Sequence, residues 1–351
     1  MELKKYSESI RVAIAGCGHL PLFIVLQTFY YVNYPLFLKM VVFPDTNWYQ
    51  ALFVAFREGL GVPAWLHAPF KQRVMFSHIT AIFYNLTYPI LPMSEEWYFF
   101  AVNSIIMIGV NICLYLLFKH YTTGNWAVFG VWVHNLSYPV VWYFLAGLTD
   151  ALGYLFVLVG LLIIKSYKED DEFLSLYRKD MFYLLSLLVG VFVRESILIT
   201  LPIWIYIKIK LKPIEWERDN YSRSDKIVSV IADTSSIVLI MIVTFVYYGI
   251  DNKTHFNLPP SSWLLVTFLC LVPFVPFIPK WKMNTQDKLY SIIVILYSVY
   301  ALFFAFYDGR FLVLGYPIWV GYSLKAINRL IDWLRNELEL MNKDNKVGEL
   351  C

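Results

Sequence analysis

A carboxylate can take a proton from a hydroxyl, and a guanidinium can hold a phosphate in a two-pronged grip. This chain places both groups at a few short polar spots between long apolar runs. Asp45 follows Pro44 and precedes Thr46-Asn47-Trp48, and Arg73 comes shortly after His67-Ala68-Pro69-Phe70. Glu95-Glu96 and Thr149-Asp150 each open an apolar run, Arg194-Glu195 interrupts one, and Asp308-Gly309-Arg310 precedes the last. Asp45 is one of the carboxylates, and a carboxylate within reach of a hydroxyl contributes roughly 10²–10⁴-fold in rate when it acts as a base. Arg73, Arg194 and Arg310 are candidate phosphate holders, with Asp150, Glu195 and Asp308 as further substrate-binding groups.

Each group also has a simpler use. Asp45 suits a helix N-cap, and Thr149-Asp150 could only cap the run that follows. Arg194-Glu195 and Asp308/Arg310 fit ion pairs at turn tips, and Glu95-Glu96 fits a solvated pair. His134 and Asn135 fit hydrogen-bonded packing residues between helices. Tyr316-Pro317 predicts a kink in the last helix.

The elements that must position these groups follow from composition. Of 351 residues, 59% are hydrophobic, 19% aromatic and 16% charged, against roughly 25% charged in soluble domains. That balance excludes a nucleic-acid binder, a soluble enzyme and a disordered chain, and a net charge of +3 is too small to attract polyanions over the whole surface. Cys17, Cys113, Cys270 and Cys351 lie far apart without a CxxC spacing, so no metal site or disulfide framework is indicated. The expected fold is all-α: a polytopic integral membrane protein forming a single transmembrane domain over 1–351.

Segments able to cross a bilayer lie near 10–34, 97–118, 126–146, 150–165, 227–250, 262–279, 289–306 and 311–333. Lys4, Lys5 and Arg11 precede the first, and the five residues between Arg11 and Cys17 are too few for a cleaved signal's apolar region, so it reads as an uncleaved anchor. The stretch 181–209 has Arg194-Glu195 at its middle and basic flanks on both sides. A hairpin of two short helices keeps both flanks cytoplasmic and spares the membrane centre an ion pair. About ten crossings follow, with both termini cytoplasmic and 334–351 as a cytoplasmic tail. Of the 29 Lys and Arg residues, seven fall outside (Lys39, Arg57, Lys71, Arg73, Arg194, Lys253 and Arg310), leaving 22 inside.

Residues 39–96 then form one long external loop. From Trp48 to Leu60, Trp48, Leu52, Phe53 and Phe56 share a helical face opposite Gln50 and Arg57, as in a helix lying in the interface. Gly59, Gly61 and Pro63 end it, and a second element begins near Arg73. Val74 to Leu91 is apolar enough to dip into the membrane.

This order of elements, with Leu148-Thr149-Asp150-Ala151-Leu152, Val193-Arg194-Glu195-Ser196 and Gly309-Arg310-Phe311-Leu312-Val313-Leu314-Gly315-Tyr316-Pro317, resembles the C-type (GT-C) membrane glycosyltransferase superfamily. Pro69-Phe70-Lys71-Gln72-Arg73 is similar to a motif of some of its poorly characterised members. The resemblance implies transfer of a sugar from a polyprenyl-phosphate-linked donor to a glycan, lipid or protein acceptor. The reaction would lie on the extracytoplasmic or lumenal face of a prokaryotic cell membrane or the endoplasmic reticulum. It also implies that Asp45 acts as general base or helps hold a divalent cation. Many members pair that acidic residue with a second and add a soluble C-terminal domain; here Asp45 stands alone, and a tail follows Trp333.

Two other readings stay open. A transporter or lipid flippase usually places ionisable groups at the midplane between repeats; here the midplane offers Asn103, Asn111, His134 and Asn135, and no repeat is visible. A non-catalytic subunit could keep the same fold without the chemistry. No reading involves nucleic acid, and all involve membrane lipid.

Overall fold

Apolar runs of helical length, separated by Gly, Pro and charged residues, produce helices throughout. The computed structural model describes residues 44–66, 73–137, 140, 144, 149–168, 171, 173–218, 222–244, 267, 282–304 and 309–348. Among these residues there is no strand. The expected crossing at 10–34, that at 262–279 apart from residue 267, His67, Asp308, and Cys17, Cys270 and Cys351 lie outside the described residues.

The segment expected to be external forms α1 (Pro44–Arg57) and α2 (Met75–Thr87), which pack against each other. Pro44 is the first residue of α1 and Asp45 its second. Proline suits that position because its missing N–H has no helical partner there, and a first-turn carboxylate is favoured by the helix dipole. The 13 residues of α2 span about 20 Å, too short for a hydrocarbon layer of roughly 30 Å.

The central helix is α3 (Glu95–Phe118), and it packs against α2 and against α4 (Gly124–Asn135) and α5 (Asp150–Lys165). Glu95 and Glu96 occupy its first turn, again the end where the dipole favours anions. Its 24 residues contain a window of mean hydropathy 2.1, half of it buried. Among the described residues it is the one helix long and apolar enough to cross a membrane. The expected run at 126–146 does not continue as a single α-helix: α4 stops at Asn135, four residues before Pro139, whose ring disfavours helix in the residue preceding it.

The chain reverses at Arg194, as the hairpin reading expected. Helix α6 (Phe173–Val191) leads to a turn in which the Val193 and Arg194 amides both donate to the Gly190 carbonyl, at 2.9 and 2.8 Å. A 3₁₀ segment (Glu195–Thr200) and α7 (Leu201–Arg218) run back beside it. Tyr183 stacks on Trp204 at 5.3 Å and bonds Thr200 at 2.9 Å, while Lys208 reaches Asp180 at 2.6 Å. Gly190 allows the close turn: a Cβ there would stand 3.1 Å from the Phe156 Cβ and 2.5 Å from the Ile197 Cδ1.

Helix α8 (Arg223–Thr244) touches α6, and α9 (Thr285–Phe304) packs on a 3₁₀ segment, Gly309–Gly315, that leads into α10 (Tyr316–Gly348). The expected last crossing, 311–333, is therefore not one kinked helix. Pro317 stands in the first turn of α10, where proline removes no hydrogen bond. The stretch 334–348 continues the same helix, since Glu, Leu, Met and Lys are good helix formers.

Candidate functional site

The site is assembled where the N-terminal end of α5 and the residue just ahead of α2 meet the hairpin tip. Arg194 has extended backbone, φ −166° and ψ 136°, and its Nη1 lies 2.6 Å from Asp150 Oδ1 in the first turn of α5. Both side chains are nearly inaccessible, at 4% and 9% exposure. The Arg194 guanidinium also sits 4.9 Å from the ring centre of Phe311 in the last 3₁₀ segment, a cation–π contact. Arg73, just ahead of α2, donates from Nη2 to Glu195 Oε1 at 2.6 Å. Here the Arg73 side chain is buried but that of Glu195 is 24% exposed, which makes it the open edge of the group.

Gly153 admits the hairpin tip. A Cβ there would stand 3.0 Å from Arg194 Cβ and 3.1 Å from its Cδ. Helices α1 and α2 are tied to the same end: Tyr49 Oη lies 3.3 Å from Thr149 Oγ1, and Ser77 Oγ donates to the Tyr49 carbonyl at 2.9 Å. Glu95 is not merely solvated. It accepts from Arg57 Nη1 at 2.6 Å and from Gln50 Nε2 at 2.9 Å, while Glu96 accepts from Ser94 Oγ at 2.6 Å.

A cavity of about 10 Å³ touches Asp150, Tyr154, Arg194, Ser196 and Phe311, about the space one water molecule needs. The Tyr154 hydroxyl and Glu195 Oε2 are buried without a hydrogen-bond partner. Behind Tyr154, the His134 ring stacks at 5.4 Å, and its Nδ1 lies 3.2 Å from Asn135 Oδ1. His134 and Asn135 are both buried, in keeping with packing residues.

Four of the candidate groups thus meet: Arg73, Asp150, Arg194 and Glu195. Arg310 stands next to Phe311 in the 3₁₀ segment Gly309–Gly315, but its side chain lies outside the described residues, as does that of Asp45. Tyr49, Tyr154 and Phe311 were missed from sequence. Tyr154 was recoverable, since it lies one helical turn from Asp150 on the same face.

The opposite end of the bundle holds a second polar cluster with no sequence forewarning. Asp287, in the first turn of α9, pairs with Lys165 at the end of α5 and accepts from the hydroxyls of Tyr121 and Tyr322 at 3.2 and 2.9 Å. Asn284 Oδ1 accepts from the Asp287 amide at 2.8 Å. His120 lies beside this cluster, where desolvation and then the Lys165 ammonium lower its pKa, with Asp287 opposing them.

Among the described residues no three His, Cys, Asp or Glu side chains gather as a metal site. Asp150 and Glu195 each face a guanidinium, so this donor set does not fit a divalent cation. What the arrangement can do is hold or exchange anions on the Arg194 and Arg73 guanidinium groups, one on each side of the hairpin tip. No protein-family model and no curated protein matches the chain.

Proposed function

We propose that the chain is a multi-pass membrane glycosyltransferase that moves a sugar from a polyprenyl-phosphate-linked donor to an acceptor on the extracytoplasmic side. The observation that carries this reading is the pair of arginine–carboxylate contacts, Arg194–Asp150 and Arg73–Glu195, set on the two sides of the hairpin tip. A membrane setting is supported by exposed apolar side chains on many helices, among them Leu86, Ile105, Phe129, Leu185, Leu239 and Leu296, because soluble proteins keep such patches small. The charge split over ten crossings supports both termini being cytoplasmic.

In this reading the donor phosphate exchanges with a carboxylate on Arg73 or Arg194, and Glu195, the more exposed of the two, yields first. Arg310, one residue from Phe311, and Asp308 would complete the rim. The acceptor hydroxyl passes its proton to the Asp45 carboxylate as its oxygen bonds to the anomeric carbon. The anomeric carbon–oxygen bond to phosphate breaks, and the electron pair leaves on the phosphate, whose charge the guanidinium groups hold.

The test is transfer from a radiolabelled polyprenyl-phosphate hexose by the full chain in liposomes. Asp45→Asn should lower the rate by about 10² or more with the protein still folded. A first-turn role alone would cost only about 0.3–1 kcal/mol of stability and no activity, so full activity in the variant rejects Asp45 as base.

One observation favours the non-catalytic subunit instead: both guanidinium groups already contact carboxylates, and the cavity beside them, at about 10 Å³, is far smaller than a sugar phosphate. Absence of transfer by the wild-type chain across hexose donors would select that reading. Movement of lipid-linked substrate without transfer would select the transporter.

A further inference from the structure

The last helix carries a pocket that the transferase reading does not use. It has a volume of about 650 Å³ and is lined by Lys282, Tyr322, Lys325, Arg329, Leu330 and Trp333 with the small Ala326. Three of these side chains are cationic, none is acidic, and the volume lies within the usual range for a bound small molecule.

The carboxylate bonded to the pocket's own Tyr322 is already committed, and Asp332, exposed on α10, is not among the lining residues. Asp287 is paired with Lys165 and bonded by the hydroxyls of Tyr121 and Tyr322, so its charge is met before it reaches the pocket. The same bonds fix the pocket wall: the Tyr322 hydroxyl donates to Asp287 and accepts from the Asn284 amide at 3.2 Å, and Lys325 Nζ lies 5.9 Å from the Tyr322 ring centre.

The cations do not stand on a purely polar surface. Leu330, Trp333 and Leu334 are 44%, 56% and 46% exposed, on the same stretch of α10 as Arg329. Basic side chains flanked by an exposed tryptophan and leucines mark the level where a helix leaves the hydrocarbon. Basic pockets at that level take phosphate-bearing lipid head groups.

We propose that this pocket is a phosphate site that holds the head group of an anionic phospholipid, with Arg329 and Lys325 on the phosphate, Lys282 at the rim, and Trp333 and Leu330 against the glycerol and upper acyl carbons. The site does not depend on the transferase reading; a transporter or a silent subunit with this fold would carry it equally.

The test offers the detergent-purified full chain equal amounts of phosphatidylglycerol and phosphatidylcholine, with retained lipid measured by native mass spectrometry. The wild-type chain should enrich phosphatidylglycerol. Arg329→Gln should reduce that preference about fivefold, and Lys325→Gln with Arg329→Gln roughly 30-fold. Arg329→Lys should keep most of it, losing the two-pronged grip but not the charge, and Arg178→Gln, an exposed cation on α6, should change nothing. An unchanged melting temperature in the variants shows that the fold is retained. A parallel titration with inorganic phosphate separates the sources: displacement of phosphatidylglycerol at millimolar phosphate assigns the site to soluble phosphate, whereas retention assigns it to lipid. Equal retention of the two lipids by the wild-type chain, or a preference that survives the double variant, overturns the proposal.

Discussion

Arg194 and Glu195 are consecutive residues whose side chains bond to different parts of the chain, Arg194 to Asp150 on α5 and Glu195 to Arg73 ahead of α2. Extended backbone at Arg194 is the reason, since it sends successive side chains to opposite sides. The hairpin tip therefore acts as a two-sided clasp between the core helices and the segment carrying α1 and α2.

The inner half of that clasp should dominate stability. Arg194→Ala removes the guanidinium partner of the buried Asp150 carboxylate, which costs about 3–5 kcal/mol; removing both partners, Arg194→Ala with Asp150→Ala, should cost less than the two single changes added together. Chemical or thermal unfolding in detergent measures the cycle. Single effects that add to within about 0.5 kcal/mol would show that the pair is uncoupled. In transfer assays Arg194→Lys should restore only part of what Arg194→Ala loses, because an ammonium lacks the fork.

Gly153 offers a gentler probe of the same contact. The side chain added by Gly153→Ala would meet the Arg194 stem at 3.0–3.1 Å, so the tip must move by a few tenths of an ångström. Affinity for a lipid-phosphate donor should fall while the melting temperature changes little, and a larger residue, Gly153→Leu, should lower both. Identical donor affinity in Gly153→Ala and the wild-type chain would mean that Arg194 is not position-sensitive.

Topology can be read chemically. In the proposed arrangement, with both termini cytoplasmic, single cysteines placed in 208–226 should react with membrane-impermeant reagents only from the cytoplasmic side. In a eukaryotic secretory host, Asn85 of the Asn85-Leu86-Thr87 sequon, exposed on α2, is open to glycosylation. Asn135 of Asn135-Leu136-Ser137, 1% exposed, should stay bare. External labelling of 208–226 would overturn the arrangement.

His120 sets a pH dependence at the opposite end. Its pKa lies below the ordinary 6.5 because desolvation and Lys165 disfavour the imidazolium more than Asp287 favours it. The folded chain thus binds fewer protons here than the unfolded chain just below pH 6.5, so this contribution to stability is complete above that pH and is lost as pH falls through the folded value. Melting temperature should decline on acidification below about pH 6.5 less steeply in His120→Gln than in the wild-type chain. Equal slopes would remove His120 from the account.

How much of this was legible beforehand differs between elements and contacts. The interval 150–165 was readable as a helix to the residue, because Thr149-Asp150 marks a start and Lys165 a charged end around an unbroken apolar run. The central helix was readable for the same reason, and the turn at Arg194-Glu195 followed from the cost of charge in hydrocarbon. All of these depend on neighbours in sequence. The partners did not. Arg57 with Glu95, Arg73 with Glu195, Arg194 with Asp150 and Lys165 with Asp287 join segments far apart in the chain, and periodicity gives the face a residue occupies but not the helix opposite it. The break of the last crossing into a 3₁₀ segment and α10 was likewise decided by packing: Tyr290 donates to the Leu314 carbonyl at 2.7 Å, and Phe311 lies against Arg194. A chain of apolar helices offers many ways to bury its surface, and the few buried ionic and hydrogen-bonded pairs are satisfied in only one of them.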